Sequence, residues 1–161
     1  MVYNTVLGFI QQADDAEDLT QNVFIKVFES INNFDSRSKL STWIYRISVN
    51  ESLDFIRRRN RKKRWAVVTG LFSTENELLY QHADLNHPGV LMENKERTNI
   101  LFKAINLLPE KQRTAFLLQK TQERSQREIA EIMQLSEGAV EALLVRAKVN
   151  LKKSLLNYYV A

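Results

Sequence analysis

Residues that break helices are rare in this chain. Its 161 residues include only four Gly and two Pro, whereas Leu, Ile, Ala, Glu, Lys, Arg and Gln are prominent. Sheet proteins need frequent Gly and Pro turns, so this composition predicts an all-α fold. The hydrophobic fraction of 44% is enough for one ordinary domain or two small ones, and we therefore expect the chain to fold.

Charge is distributed unevenly along the chain, although the net charge of +4 is modest. Residues 1–64 carry 11 basic and 8 acidic groups, residues 65–90 carry 3 acidic groups and no Lys or Arg, and residues 91–161 carry 12 basic and 8 acidic groups. The middle segment also lacks a sustained apolar period. We predict two small helical domains, 1–64 and 91–161, joined by a flexible linker, 65–90.

The two basic domains favour a polyanionic partner, because neutralising phosphates releases condensed counterions. Ordinary solvated surfaces would explain the charge alone. Cys is absent, which excludes a disulfide framework and a thiolate zinc site and is compatible with a cytoplasmic protein. No apolar stretch approaches the ~18 residues that span a bilayer, and no signal peptide pattern is present. His82 and His87 fall in the predicted linker without other ligands, so we expect no metal and no cofactor.

A helix is predicted from about Asp14 to Asn33. One side is apolar and suits a core, with Ala16, Leu19, Val23, Val27, Ile31 and Phe34. The opposite side combines Asp14, Glu17, Asp18 and Gln21 with the large apolar residues Phe24, Ile25 and Phe28. Acidic residues in a first turn are also expected from the helix macrodipole alone. The second apolar patch favours a docking surface, because a small domain rarely buries both faces of a helix.

A second long helix is predicted from about Leu40 to Arg59. Its apolar residues form two stripes, one with Trp43, Ile44 and Ile47 and one with Tyr45, Val49, Leu53 and Ile56. The helix is therefore either packed on two sides or uses its aromatic residues elsewhere. It ends in seven cations within residues 57–64. Such a run is a solvated tail or a phosphate-binding strip, and the aromatic residues before it favour the strip.

The clearest local motif lies near residue 125. Upstream, one helix is predicted through Ile100, Leu101, Ala104, Ile105 and Leu108, and another starts at Pro109. Ser125 and Glu128 have the spacing of a capping box, so a short helix should begin there and end near Gln134. Ser136 should then cap a second helix with an apolar inward face: Val140, Leu143, Leu144, Ala147 and Leu151. This pattern predicts a helix-turn-helix, although a plain helical hairpin has a similar period.

The outward face of that second helix carries candidate DNA contacts. It consists of Gly138, Glu141, Ala142, Val145, Arg146 and Val149. Its small residues would let the backbone approach base edges, Arg146 can bind guanine or a phosphate, and Glu141 can accept from a cytosine amino group. Lys148, Lys152 and Lys153 are placed to hold phosphates.

Two separated parts of the chain resemble the extracytoplasmic-function (ECF) group of the sigma-70 family, and together they cover nearly its whole length. Residues 15–24 are similar to the region-two helix that docks on the polymerase clamp. Residues 41–47, with Asn50, Asp54 and Arg57 to Arg59, are similar to the part that captures the minus-ten element. Residues 108–113 and 125–153 resemble region four, which reads the minus-thirty-five element.

The resemblance implies an RNA polymerase sigma factor that binds core polymerase, recognises and melts promoter DNA, and is not an enzyme. The implied core-polymerase contacts are Asp15, Asp18, Gln21, Phe24 and Phe28. The implied minus-ten contacts are Arg37, Lys39, Ser41, Trp43, Arg46, Asn50, Arg57 and Arg58, and the loop from Asp35 to Ser41 would hold a flipped non-template base. The implied minus-thirty-five contacts are Arg127, Ser136, Gly138, Glu141, Ala142, Val145, Arg146 and Lys148.

The sequence departs from the family in two places. The first helix, Val2 to Gln12, looks short relative to members that have another helical stretch before it. Residues 140–148 are less polar than the recognition helices of many members, which weakens the implied base contacts. Members of the family are often restrained by an anti-sigma factor, so the resemblance makes such a protein a candidate partner.

Other functions compete with this interpretation. A stand-alone helix-turn-helix transcription regulator would bind duplex DNA without polymerase, with strongly salt-dependent affinity. An enzyme would need a nucleophile with a base, carboxylates paired with a His, or a Gly-rich phosphate loop, and the acidic residues 14–18 fit a solvated first turn better. A nonspecific RNA chaperone would leave the helix-turn-helix unexplained. If the chain is a sigma factor, we expect the free form to be compact, with its DNA-reading faces partly hidden.

Overall fold

The computed structural model describes residues 1–68 and 92–159, and within these ranges the chain is helical with no strand. The N-terminal domain contains α1 (Val2–Ile10), α2 (Ala13–Ser30), a 3-10 helix (Ile31–Asn33) and α3 (Leu40–Val68). The C-terminal domain contains α4 (Met92–Asn106), α5 (Glu110–Thr121), α6 (Gln126–Met133) and α7 (Glu137–Tyr159). The predicted all-α fold is confirmed. Residues 69–91, with His82 and His87, lie outside the described residues.

The core of the N-terminal domain forms where α1 and α2 pack against α3. It contains Val6, Phe9 and Ile10 from α1, Ala16, Leu19 and Val23 from α2, and Tyr45, Val49, Leu53 and Ile56 from α3. The predicted inner stripe of α2 is confirmed over its first three members, whereas Ile31 at its end is 40% exposed. The stripe fades because the chain leaves the α-helix at Ser30.

Helix α3 is longer than the sequence pattern predicted. We expected it to end near Arg59, but it continues to Val68, so residues 65–68 of the predicted linker are its last turn. Arg and Lys are good helix formers, and no Gly or Pro occurs between Arg59 and Gly70 to stop the helix. The helix is packed on two sides, since it contacts α1 and α2 in its own domain and α6 in the other.

The helix-turn-helix predicted for the C-terminal domain is present as α6 and α7. The Ser125 hydroxyl accepts from the Glu128 backbone N–H, and the Glu128 carboxylate accepts from the Ser125 backbone N–H, so the capping box is confirmed. Gln134 ends α6 in the left-handed conformation, with a φ of 55°. The Ser136 hydroxyl then accepts from the Ala139 N–H at 3.2 Å and caps the start of α7.

Two details of this domain differ from the prediction. Pro109 lies just before α5 rather than inside its first turn. Leu101, which we assigned to the inner face of its helix, is 40% exposed, whereas Ala104, Ile105 and Leu108 are buried as predicted. Phe102, between Leu101 and Ala104, is partly buried and packs against the core.

The two domains lie against each other. Helix α1 contacts α5, and α3 contacts α6, so the arrangement is compact, as expected for the free protein. Gly8 of α1 lies at this boundary, where an added Cβ would meet the Thr121 hydroxyl oxygen at 3.4 Å. Whether a predicted DNA-reading residue is open to solvent therefore depends on how near it lies to this contact.

Candidate functional surfaces

The outward side of α2 is an exposed apolar surface with an acidic edge. We call Asp18, Gln21, Phe24, Ile25 and Phe28 the α2 face, and all five side chains are exposed. Phe28 is 81% exposed and Phe24 is 53% exposed. A patch of large apolar side chains on an otherwise folded surface usually marks an interaction site. The α2 face therefore has the character of a docking surface.

Asp15 does not belong to the α2 face. It is half-buried on the side of α2 that faces α3, and its carboxylate oxygen lies 3.7 Å from Nη1 of Arg59. Arg59 also donates to the side-chain oxygen of Gln12 at 3.0 Å and lies over the Phe55 ring. The structure thus brings together four of the five predicted docking residues and gives Asp15 a contact inside the domain.

The loop between the 3-10 helix and α3 has a defined conformation. One carboxylate oxygen of Asp35 accepts from the Arg37 backbone N–H at 3.1 Å, and the other accepts from Arg37 Nε. These bonds hold the pKa of Asp35 below its ordinary value. Between them Ser36 adopts a φ of 57°. The predicted minus-ten residues Arg37 and Lys39 are exposed on this turn, and Ser41 is exposed in the first turn of α3.

Trp43 anchors the same loop to α3. Its ring packs against Phe34 with ring centres 5.5 Å apart and an angle of 47° between the planes, and both side chains are half-buried. Tilted aromatic pairs of this kind are favourable and fix the orientation of both rings. The loop and the first turns of α3 therefore form a surface edge with a defined conformation.

The remaining predicted minus-ten residues lie further along α3. Trp43, Arg46, Asn50 and Arg57 recur at intervals of three, four and seven residues and so share one side of the helix. Asn50, Arg57 and Arg58 are exposed, whereas Arg46 is half-buried. Arg46 and Arg57 both contact the C-terminal domain, so this side of α3 is only partly open in the compact arrangement.

A cleft of about 390 Å³ lies between α2 and α3 beside these residues. It is lined by Lys26, Ser30, Ile47, Asn50, Glu51, Leu53, Asp54 and Arg57. Lys26 forms an ion pair with Glu51, whose side chain is mostly buried. Sequence reasoning missed this pair because its members are 25 residues apart and neither belongs to a local motif.

The basic run at the end of α3 is exposed. Arg58, Arg61, Lys62 and Arg64 all point to solvent. Since a helix rises about 1.5 Å per residue, residues 57–64 place this charge along roughly 10 Å of one helix. A row of cations on a rigid helix suits the regularly spaced phosphates of a nucleic acid.

The outward side of α7 has the properties predicted for a recognition helix. The predicted residues Gly138, Glu141, Ala142, Val145, Arg146 and Lys148 are all exposed, and Val140, Leu144, Ala147 and Leu151 are buried behind them. Ser136 caps the helix, and Arg127 of α6 is exposed beside Glu131 at 3.5 Å. An added Cβ on Gly138 would meet no described atom within 4 Å. Gly138 is therefore not required for packing inside the domain.

Within 1–68 and 92–159, no group of His, Asp and Glu side chains could hold a metal ion. The helices of these two ranges also include none that is both long and apolar enough to cross a bilayer. The exposed features that remain are the α2 face, the edge formed by the loop and α3, and the outward side of α7.

Sequence comparison identifies relatives over both domains. Residues 1–62 match the family Sigma-70 region 2, and residues 98–151 match the family Sigma-70, region 4. The chain is 32% identical over 158 residues to the ECF RNA polymerase sigma factor SigW of Bacillus subtilis, which covers 96% of this chain and 82% of that protein. It is 31% identical over 134 residues to the ECF RNA polymerase sigma-E factor of Escherichia coli K12, covering 83% of this chain and 70% of that protein.

Solved structures with a similar fold include two complexes. The sigma factor RpoE of Bartonella quintana, crystallised with the anti-sigma factor NepR, has a TM-score of 0.66 and 25% sequence identity, and the match covers 96% of this chain and 89% of that one. CnrH in complex with the cytosolic domain of CnrY also has a TM-score of 0.66, covering 98% of this chain and 80% of that one. At 21% identity, the second likeness supports the fold alone.

Proposed function

The chain belongs to the ECF group of the sigma-70 family and is an RNA polymerase sigma factor, and on this basis we propose a separate role for each of its three exposed surfaces. A sigma factor binds core polymerase and directs it to promoter DNA. We assign core binding to the α2 face, minus-ten capture to the loop and α3, and minus-thirty-five reading to α7. We propose that residues 1–64 and 91–161 act as the two functional domains, with the end of α3 leading into the segment that connects them.

The exposed aromatic residues of the α2 face carry the first assignment. Burying a Phe side chain stabilises a complex by about 1.5–3 kcal/mol, so Phe24 and Phe28 would contribute strongly to a protein interface. Asp18 and Gln21 at the edge of the patch would supply charge and hydrogen bonds. The family resemblance also implied a polymerase contact for Asp15, but because its carboxylate contacts Arg59 we propose that Asp15 supports α2 from inside the domain.

A pull-down with purified bacterial core polymerase tests the α2 face. Asp18→Arg and Phe24→Ala should each abolish or strongly reduce capture. Asp18→Arg reverses a charge, and Phe24→Ala removes apolar area that would be buried against polymerase. Tyr158→Ala is a matched control, since it removes an exposed aromatic residue from α7 in the other domain. Core affinity that is the same for wild type and both α2 variants would sink this assignment.

For the minus-ten element, we propose that the edge built by the loop and Trp43 receives a flipped non-template base. Extruding a base costs a few kcal/mol of stacking, and a preformed edge with cations close by can offset that cost. Arg37, Lys39 and Ser41 would line the loop side, with Arg46 and Asn50 on α3. Arg57, Arg58 and the cations up to Arg64 would hold phosphates.

For the minus-thirty-five element, we propose that α7 enters the major groove. The small residues Gly138 and Ala142 permit close approach, and Val145 can contact a thymine methyl group. Replacing Arg146 with Ala should cost about 1–3 kcal/mol and relax specificity at one position if Arg146 reads a base. Replacing Lys148, a phosphate contact, should weaken binding evenly across sequences and reduce the salt slope by about one.

We extend two further properties of sigma factors to this chain. Sigma factors are non-enzymatic initiation factors, and we propose that this chain likewise catalyses no reaction itself and acts in the cytoplasm beside RNA polymerase. The Bartonella quintana relative was crystallised with an anti-sigma factor. We propose an anti-sigma factor as a third partner, after core polymerase and promoter DNA.

A further inference from the structure

The contact between the two domains includes several hydrogen-bonded polar side chains. The side-chain amides of Gln11 and Asn106 exchange two hydrogen bonds, of 3.1 and 2.9 Å. The Thr5 hydroxyl donates to the Gln122 side-chain oxygen at 3.2 Å. The Arg124 guanidinium lies 5.2 Å above the centre of the Tyr45 ring. All of these groups can exchange their partners for water when the domains separate.

Two further contacts use cations that we assigned to the minus-ten site. Arg57 donates from Nε to one carboxylate oxygen of Glu110 at 3.1 Å and from Nη2 to the other. This two-point contact raises the pKa of Arg57, chiefly through its bonds to Glu110. Arg46 donates from Nη2 to the backbone oxygen of Glu131 at 2.9 Å. The C-terminal domain thus occupies both cations in the compact form.

The geometry at Arg57 is the one that a phosphate would use. A guanidinium presents parallel N–H donors that fit a carboxylate or a phosphate in the same two-point manner. A DNA phosphate and the Glu110 carboxylate therefore cannot bind these donors of Arg57 at the same time. The compact form and a DNA-bound minus-ten site exclude each other at this residue.

Arg46 is incompletely satisfied in the compact form. Its Nε is buried and has no hydrogen-bond partner in the part of the chain that the structure describes. A buried donor without a partner costs free energy, and more so on a charged group. The hydrogen bond to the Glu131 backbone oxygen therefore leaves Arg46 incompletely satisfied.

We propose that Glu110 is an internal substitute for a DNA phosphate, and that the compact form is an autoinhibited state which nucleic acid opens by competing for Arg57. The inference rests on the proposed minus-ten role of Arg57. In the compact form Glu110 and the backbone of Glu131 mask the two cations. In the open form Arg46 and Arg57 are both available to DNA. The C-terminal domain can then reach the minus-thirty-five element.

The ion pair between Arg57 and Glu110 is weak enough to break and form again readily. The side chains of Arg57 and Glu110 are 53% and 39% exposed, so solvent and salt screen their attraction. Exposed ion pairs are typically worth about 0.2–1 kcal/mol, which corresponds to roughly a 1.4- to 5-fold change in an equilibrium. Removing the Glu110 charge should shift the balance between compact and open forms by that factor.

The absence of Cys permits a direct measurement of domain separation on the full chain. Fluorophores on Asn32→Cys in the N-terminal domain and Lys120→Cys in the C-terminal domain report the open fraction by energy transfer; both positions are exposed. In this background Glu110→Gln should raise the open-to-compact ratio about 1.4- to 5-fold at low salt. Glu29→Gln, which removes an exposed charge from α2, is the matched control and should leave the ratio unchanged.

Binding of a mixed-sequence single-stranded DNA of about 20 nucleotides, at low salt and without polymerase, supplies a second readout. Glu110→Gln should bind it up to about 5-fold more tightly than wild type, because less of the protein is closed. The double variant Arg57→Gln/Glu110→Gln should be equally open but bind more weakly than Glu110→Gln. The charge swap Arg57→Glu/Glu110→Arg should restore part of the compact ratio, because Asp54 beside residue 57 repels the new carboxylate, and it should still bind DNA more weakly than wild type.

The two readouts separate the inference from the function on which it rests. An open fraction that does not change in Glu110→Gln overturns the internal phosphate substitute and leaves the minus-ten assignment intact. Equal DNA affinity of Glu110→Gln and the double variant, with both open, shows that Arg57 does not contact DNA. That result overturns the assignment of Arg57 and the competition together, while the contact between domains stands.

Discussion

The packing inside each domain differs in kind from the packing between the domains. Inside, the contacts are apolar and fully buried, as for Val6 and Val23 in the N-terminal domain and Leu118 and Ile129 in the C-terminal domain. Between the domains, side-chain amides, a hydroxyl and guanidinium groups also take part in the contact. Polar contacts within a chain are typical of domains that move relative to each other. We therefore expect the polar contacts between the domains to exchange for water more readily than the core contacts inside each domain.

The largest expected change in stability comes from a substitution that creates a cavity inside one domain. Leu118 is fully buried, and Leu118→Ala should lower the free energy of unfolding of the C-terminal domain by about 2–5 kcal/mol. Both tryptophans, Trp43 and Trp65, lie on α3, so their fluorescence reports the N-terminal domain alone. In urea, the variant should lose part of its circular dichroism early and keep the fluorescence midpoint of wild type. A shift of both signals together would show that the domains unfold as one unit.

A smaller effect is expected at the helix-turn-helix cap. Ser125→Ala removes the acceptor for the Glu128 N–H and should cost about 0.5–2 kcal/mol. The loss should appear in the urea midpoint of the C-terminal domain and be absent from tryptophan fluorescence. Ser125→Asp is the paired control, because Asp is also a good N-cap residue and should keep most of the stability. Equal stability of the Ala and Asp variants would contradict the role of the cap.

Breaking the amide pair between the domains should leave both domains stable. Asn106→Ala removes both hydrogen bonds to Gln11, and a net intramolecular hydrogen bond is worth about 0.5–1.5 kcal/mol. Small-angle scattering should give a larger radius of gyration for the variant, while its urea midpoints remain those of wild type. If instead a midpoint falls and the radius of gyration stays constant, the pair stabilises one domain and does not hold the two domains together.

The smallest expected effect is a pH dependence of the same cap. Bonds to Ser125, followed by the nearby Arg124, hold the pKa of Glu128 below its ordinary value of 4.5. Because the folded pKa is lowered, this stabilisation is fully present above pH 4.5 and is lost as the pH falls through the folded value. The C-terminal urea midpoint of wild type should thus fall more steeply below pH 4.5 than that of Glu128→Gln. Parallel curves would rule out a contribution from Glu128.

Local patterns predicted the parts of the fold that depend on neighbours along a helix. Ser125 and Glu128 are three residues apart, and their capping box follows from backbone geometry alone. The exposed α2 face and the two sides of α7 likewise follow from helical spacing. The end of α3 was predicted too early, because a run of cations indicates charge repulsion but does not stop a helix that lacks Gly and Pro.

Contacts between distant residues had no such signal. Arg57 and Glu110 are 53 residues apart, and Arg46 and Glu131 are 85 apart. Helical spacing predicts which side of its own helix a residue occupies, but the partner depends on how whole helices pack. For the same reason the sequence assigned Arg46 and Arg57 to DNA and gave no indication that the C-terminal domain also binds them.

The unbroken length of α3 has one more consequence. Trp43 at its start and Arg61 near its end are joined by a single helix, which separates them by about 27 Å along its axis. One strand of DNA advances about 3.4 Å per nucleotide, so this distance equals about eight nucleotides. If a flipped base binds beside Trp43 and phosphates bind near Arg61, the distance between these two contacts is constant. The number of nucleotides between the flipped base and the bound phosphates would then be set by the length of one helix.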